Sequence, residues 1–183
     1  CKNPFPSMPL KFWNDKNDKK FKGAYFTRFP NTWHHGDYAE IKETNGFIIH
    51  GRSDTTLNPG GVRLGTAEIY SEVEKFKEVK EAIVVGQSWD NDVRIILFLA
   101  MSKKFKVKED LFNKIKTKIR KNASPRHIPS KIIVIKDIPR TKSGKIVELA
   151  VKQTIEGNSV KNIDALANPE ALEQFKNLKE LSF

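Results

Sequence analysis

The chain has a single cysteine, Cys1, among its 183 residues. An internal disulfide framework and a cysteine-based zinc site are therefore excluded. A reducing, cytoplasmic setting is the expectation that follows. Long apolar runs are also missing. Nothing approaches the roughly 20 residues of a membrane span, and the opening residues carry no signal-peptide pattern. Internal repeats and low-complexity segments are absent. Acidic residues are in deficit, 22 against 33 Lys and Arg, which leaves a formal net charge of +11. Core material is not lacking: hydrophobic residues make up 38% and aromatics 10%, enough to bury a core and to exclude a disordered tail. The length allows one domain or one and a fraction.

The positive charge is mostly lysine, in runs at Lys16, Lys19, Lys20 and Lys22, at Lys103, Lys104, Lys106 and Lys108, and from Lys114 through Lys116, Lys118 and Arg120 to Lys121. Three readings compete: nucleic acid, whose phosphates release counterions to clustered cations; a polyanionic small ligand; and a solvated lysine surface. No recognised nucleic-acid module is present, and the aromatics fall in apolar runs rather than among the lysines. The expectation is no nucleic-acid partner and no membrane partner.

Residues 1 to about 50 read as strand and loop. Ala24-Tyr25-Phe26 is a short strand candidate, and Tyr38–Ile41 and Gly46–His50 are two more. Asn45-Gly46 between the last two is a hairpin signal. Trp33-His34-His35-Gly36-Asp37 lies between them. Adjacent histidines point opposite ways in an extended chain, and no third ligand is suitably spaced, so no metal site is expected. Asp37 is either an ordinary turn residue or a loop carboxylate able to accept both hydroxyls of a ribose.

Beyond Gly51-Arg52-Ser53-Asp54 the pattern changes. Asn58-Pro59-Gly60-Gly61 is a loop. Thr66 reads as the N-cap of a helix with Ile69, Val73 and Phe76 on one face. Ala82–Val85 and Val93–Leu99 read as buried strands, joined as a hairpin through Asp90-Asn91-Asp92. A helix from Glu109 to about Lys121 carries the stripe Phe112, Ile115 and Ile119. Pro125 and Pro129 bracket a loop, and residues 131–135 form a strand. A helix with Ile146, Leu149, Ala150 and Ile155 turned inward follows. After Gly157 the chain is more polar, and Asn168-Pro169-Glu170 should cap a last helix bearing Leu172, Phe175 and Leu178. The predicted fold class is α+β: a small, mostly antiparallel sheet with helices packed on it.

Between the last strand and the helix that follows it lies Pro139-Arg140-Thr141-Lys142-Ser143-Gly144-Lys145-Ile146. Pro139 cannot donate to a ladder and Ser143-Gly144 is a turn signal, so this stretch reads as a mobile turn presenting Lys145 on a short stem. A lysine held this way is a compact point charge suited to a phosphate or a developing oxyanion. Read alone, a Gly-Lys pair is equally a solvated turn.

Four stretches stand in order: Gly36-Asp37; Gly51-Arg52-Ser53-Asp54; Gly61-Val62-Arg63-Leu64-Gly65-Thr66-Ala67-Glu68-Ile69; and Pro139 to Ile146. Together they resemble the C-terminal part of the adenylate-forming acyl-CoA synthetases, in the acetyl-CoA synthetase branch. The opening Pro4-Phe5-Pro6-Ser7-Met8-Pro9, with Phe12-Trp13 and Ala24-Tyr25-Phe26, and the tail from Val160 to Leu172 narrow the resemblance to the acetoacetyl-CoA synthetases. It covers essentially the whole chain.

The resemblance implies the following. Lys145 matches the catalytic lysine of the adenylation step. Asp37 matches the aspartate on the ATP ribose, Arg52 the arginine that assists it, and Arg63 an arginine that approaches a nucleotide phosphate as the domains reorient. Asp54 matches the hinge of a rotating C-terminal lid. Gly61 matches the glycine lining the pantetheine tunnel, and Arg120 an arginine near the CoA nucleotide phosphate. Asn58-Pro59-Gly60 stands where the family more often has small polar residues, and Thr55 where a second acid is common. The substrates implied are acetoacetate, ATP with Mg²⁺, and CoA, with no metal held by this chain. Residues 1–54 would be the end of a large adenylation domain, and 55–183 the lid with a helical extension. The chain starts at Cys1 without Met and runs straight into Pro4-Phe5-Pro6. The expectation is a piece of a longer protein whose acyl pocket and phosphate loop lie elsewhere, inactive by itself.

Overall fold

A computed structural model describes residues 1–105 and 110–182. Cys1–Asp37 and Tyr38–Phe183 form separate compact units.

The first unit is an aromatic cluster around Trp33, which is 5% exposed. Tyr25 stacks on it at 3.7 Å between ring centroids, and Phe5 meets it edge-on at 5.2 Å. The strand expected at Ala24-Tyr25-Phe26 is not formed. Tyr25 closes a helix, α1 (Lys19–Tyr25), and Phe26 caps it by donating its N–H to the Lys22 carbonyl. Helical geometry turns Phe21 and Tyr25 to the same side, where both pack on Phe12. That clustering outweighs the β preference of Tyr and Phe.

The second unit opens with a hairpin, β1 (Asp37–Ile41) and β2 (Phe47–Arg52). Asn45 takes φ +60° at its turn, as the Asn-Gly pair predicts. Helix α2 (Thr66–Val73) follows. Thr66 is its first helical residue rather than its cap. Gly65 holds the cap position, and its N–H donates to the Glu68 carboxylate at 3.2 Å. Gly65 is also where β2 comes closest, since a Cβ there would lie 2.4 Å from the His50 carbonyl oxygen.

The main sheet has strand order β3 (Val79–Trp89), β4 (Asp92–Met101), β5 (Lys131–Ile135). β3 and β4 are antiparallel through a tight turn in which Asp90 and Asn91 both take positive φ. β5 runs parallel to β4, a departure from the antiparallel rule, because helix α3 (Leu111–Asn122) carries the chain back across the sheet before β5 begins. Both faces of the sheet are covered. Ala82, Val84, Ile95, Leu97 and Leu99 face α2 and α3; Ile83, Val85, Ile96, Phe98, Ile133 and Ile135 face helix α4 (Glu148–Ile155) and the tail. Residues alternate faces along each strand, so the uninterrupted apolar run Ile95–Ala100 serves two cores at once.

Three expectations about helices are corrected. The buried stripe of α3 is Leu111, Ile115 and Ile119, spaced at i, i+4 and i+8, with Phe112 only partly buried; the expected first residue, Glu109, lies outside the described residues, as do Lys106 and Lys108. In α4 the buried residues are Ala150, Val151 and Thr154. Ile146 and Leu149, expected inward, are 37% and 42% exposed, because the helix begins only at Glu148 and its register is rotated from the expected one. The helix expected after Asn168 is a 3-10 helix, Pro169–Phe175. Its Leu172 and Phe175 are buried as expected, Phe175 edge-on to Phe98 at 4.9 Å. Asn168 makes no side-chain cap bond there; its amide is used elsewhere, as described below.

Tyr70 ties α2 to both sheet and α4. Its hydroxyl accepts the Val84 N–H at 2.9 Å and donates to the Glu148 carboxylate. Burial, reinforced by that carboxylate, pushes the phenol pKa well above its ordinary value, so Tyr70 is a fixed donor. Replacing Tyr70 by Phe strands the Val84 N–H and a Glu148 oxygen, and a loss of about 1–3 kcal/mol in unfolding free energy is expected from denaturant titration.

Candidate functional site

The Lys145 loop is a short hairpin with its base tied on both edges, where the sequence reads as a mobile turn. Along one edge, Arg140 bridges to Ile146. Within the loop, Thr141 N–H donates to the Lys145 carbonyl at 2.9 Å, Gly144 N–H to the Thr141 carbonyl at 2.8 Å, and Lys145 N–H to Thr141 Oγ1 at 3.0 Å. Along the other edge runs the tail. Lys142 N–H donates to the Ala165 carbonyl at 3.0 Å, and Ala167 N–H to the Arg140 carbonyl at 2.8 Å. Asn168 adds a third link: its Oδ1 accepts the Arg140 N–H at 2.8 Å, while its Nδ2 donates to Asp137 and the Ile138 carbonyl. Pro139 is buried beneath, and Lys145 is exposed. Among the described residues no hydrogen bond or ion pair engages the Lys145 ammonium. The backbone is hydrogen-bonded on both edges and the cation is presented outward, which is the geometry an electrostatic catalyst needs.

Asp54 lies in the bend after β2. The Arg52 guanidinium straddles its carboxylate, with Nε 3.3 Å from Oδ1 and Nη2 3.2 Å from Oδ2. Both side chains are about half exposed, so the pair contributes little to stability. On either side of this bend, His50 Nδ1 of β2 sits 3.4 Å from Glu68 Oε1 of α2, and Glu68 Oε2 lies 3.0 Å from Nε2 of the buried His127.

Gly61 takes φ +75°, a conformation that side chains strain to adopt, and a Cβ there would meet open space. The turn that carries it, Pro59–Gly61, is seated on Asp92, whose two carboxylate oxygens accept the Gly60 N–H at 2.8 and 3.0 Å. The backbone N–H of Val93 and then that of Gly60 hold the Asp92 pKa below its usual value. Sequence reading took Asp92 only as part of a turn; its link to Gly60 spans 32 residues and leaves no local signal. Arg63 is exposed next to this turn, and Arg120 is exposed on the solvent face of α3. No hydrogen bond or ion pair among the described residues joins Lys145 to Gly61, Arg63 or Arg120.

Asp37 begins β1, with His35 Nε2 3.9 Å from its Oδ2. His35 Nδ1 accepts the Trp33 indole N–H at 3.1 Å, and among the described residues no group of three His, Cys, Asp or Glu side chains converges as a metal site. No helix there is long and apolar enough to cross a membrane. A groove of about 1310 Å³ lies between the end of α4 and the tail and includes none of the candidate site residues singled out by sequence.

Comparison with known proteins agrees with this layout. The family profile of the AMP-binding enzyme C-terminal domain matches residues 68–145, ending on the lysine itself. Acetoacetyl-coenzyme A synthetase of Rhizobium meliloti is 58% identical over 181 residues, which is 99% of this chain and 28% of that protein. Acetoacetyl-CoA synthetase of Xenopus tropicalis is 49% identical over 99% of this chain and 27% of its own length. The chain thus spans little more than a quarter of the curated relatives it matches. Among solved structures, acetoacetyl-CoA synthetase from Streptomyces lividans superposes with a TM-score of 0.87 at 35% identity, covering 96% of this chain and 27% of that one. A benzoate CoA ligase from Burkholderia xenovorans shares the fold at a TM-score of 0.65 and 23% identity, over 80% of this chain and 28% of its own. Nearly the whole chain is thus similar to part of the acetoacetyl-CoA synthetases, and its residues 68–145 match the C-terminal domain of AMP-binding enzymes.

Proposed function

We propose that this chain is the catalytic lid of an AMP-forming acetoacetate–CoA ligase. Residues 1–54 end a larger adenylation domain, Asp54 is the pivot, and 55–183 form the lid and its extension. In the first step a carboxylate oxygen of acetoacetate attacks the α-phosphorus of Mg·ATP, and pyrophosphate leaves. Negative charge accumulates on the α-phosphate and carboxylate oxygens, and Lys145 supplies the compensating ammonium. Asp37 accepts the ribose hydroxyls and Arg52 steadies the nucleotide beside it; Arg63 serves a phosphate. Mg²⁺ enters as part of the nucleotide substrate, held largely by its phosphates.

In the second step the CoA thiol attacks the acyl carbonyl, giving the thioester, AMP and a proton. This step has no use for Lys145. Rotation about Asp54 withdraws it and brings Gly61 to the pantetheine arm and Arg120 toward the CoA nucleotide phosphate. The cytoplasm is the compartment we assign, from the single cysteine of the chain.

The observation that carries this reading is the exposed Lys145 ammonium, unpaired among the described residues, on a braced loop, within a chain 58% identical to an acetoacetyl-coenzyme A synthetase over nearly its whole length. Pyrophosphate release by the full-length protein, measured across acetate, propionate, butyrate and acetoacetate, tests it. Acetoacetate should give the highest kcat/KM. A preference for acetate or butyrate would move the protein to another short-chain ligase and leave the roles of Lys145 and Asp54 intact. No release with any acid would refute the ligase reading.

A further inference from the structure

We infer that Arg140 is a positioning residue for Lys145, tying the peptide that carries the lysine to the central sheet. The inference rests on the proposal that Lys145 is the cation of the adenylation step. The Lys145 stem leaves the chain directly after the Gly144 carbonyl, and Arg140 Nη1 donates to that carbonyl at 3.1 Å. Nη2 of the same guanidinium pairs with Glu81, which sits on β3 next to the buried run Ala82–Gln87. One planar group therefore spans from the sheet to the loop tip.

The other bonds of the loop do not do this. Thr141 to Lys145, Gly144 to Thr141 and Lys145 to Thr141 Oγ1 all begin and end inside the hairpin. They fix its shape but not its direction. The tail bonds, through Ala165, Ala167 and Asn168, hold the loop's base at Arg140 and Lys142. Among the described residues the guanidinium alone reaches from the sheet past the base to the peptide next to the lysine. Two rigidly related donors are needed for that span, which a guanidinium has and an ammonium lacks. Arg140 and Glu81 are both about a quarter exposed, so the pair is partly screened and contributes more to geometry than to stability. Misplacing a catalytic group by about an ångström costs up to about 10²-fold in rate.

The test is made in the full-length enzyme, with the half-reactions measured separately: pyrophosphate release from ATP and acetoacetate, and thioester formation from supplied acetoacetyl-adenylate and CoA. Arg140→Gln should lower kcat of the first about 10- to 100-fold with KM for ATP little changed, and leave the second intact. Arg140→Lys should restore only part of the loss. Glu81→Gln, which releases the sheet end of the bridge but keeps the Gly144 bond, should lose less in the same direction. Lys145→Ala is run alongside. If Lys145→Ala retains adenylation, the role of the lysine falls and the inference with it. If Lys145→Ala loses adenylation and Arg140→Gln does not, the inference alone falls. Equal loss of both half-reactions in Arg140→Gln marks a merely structural residue and also overturns it. Should Arg140→Gln fail to fold, unchanged adenylation in Glu81→Gln overturns it instead.

Discussion

Lys145→Ala in the full-length enzyme should lower acetoacetyl-adenylate formation on the order of 10²–10³-fold, the cost of removing one preorganised charge donor from a transition state. Thioester formation from supplied adenylate should be unchanged. The expectation follows from where charge develops. In the proposed reaction, attack on the α-phosphorus spreads negative charge over oxygens that a single exposed ammonium could reach, whereas attack of sulfur on a carbonyl already activated by AMP would proceed after that ammonium had left. The structure contributes the preorganisation. Thr141, Arg140 and the tail at Ala165 and Ala167 fix the backbone under Lys145, so the side chain arrives without a folding cost at each turnover. Methylation of the amine, which keeps the charge, should be tolerated far better than acetylation, which removes it. Rates of pyrophosphate release and of thioester formation, measured on the same preparation, decide this.

Asp54→Pro should produce the opposite defect. Proline fixes φ near −65° and restricts Ser53 before it, so if Asp54 is the proposed pivot between two lid orientations, it is locked in one. Adenylation should survive if the locked orientation is the one that delivers Lys145, and the CoA step should slow on the order of 10²-fold. Asp54→Ala is the necessary companion. It removes the carboxylate that Arg52 straddles while leaving the backbone free, and that pair is exposed and worth little. A small effect of Ala beside a large, one-sided effect of Pro would place the hinge in the backbone rather than in the ion pair. Equal effects would place it in the pair.

Much of the architecture was legible from periodicity. Val93–Leu99 and Ala82–Val85 read as buried strands because their apolar runs are long and β-branched, and Asp90-Asn91 between them can adopt the positive φ a tight hairpin needs. What periodicity could not give was register where two alternatives bury similar volumes. In α4, Ala150 turns inward as expected, but Ile146 and Leu149 give way to Val151 and Thr154, with Glu148 held by Tyr70. At Tyr25 local β propensity lost to ring clustering around Trp33.

The site was legible in a different way. Lys145, Asp54 and Gly61 were picked out by motif, and the structure adds what surrounds them: Arg140 across to Glu81, Asn168 under the loop, Asp92 under Gly60. Glu81, Asn168 and Asp92 lie tens of residues from the groups they hold, and Glu, Asn and Asp at such positions carry no pattern that distinguishes a brace from a solvated side chain. The parallel β4–β5 ladder was hidden for a related reason: strand direction follows from how α3 returns the chain, not from anything in Lys131–Ile135 itself.

The central claim is that one lid performs two half-reactions in two orientations, with a lysine used in only one of them. Comparing the two half-reaction rates in Lys145→Ala and in Asp54→Pro tests it most directly. The predicted result is a crossed pattern: the lysine variant loses adenylation and keeps thioester formation, and the proline variant keeps adenylation and loses thioester formation. If both variants lose the same half-reaction, or both lose the two equally, the account of a pivoting lid with a single-use lysine is contradicted.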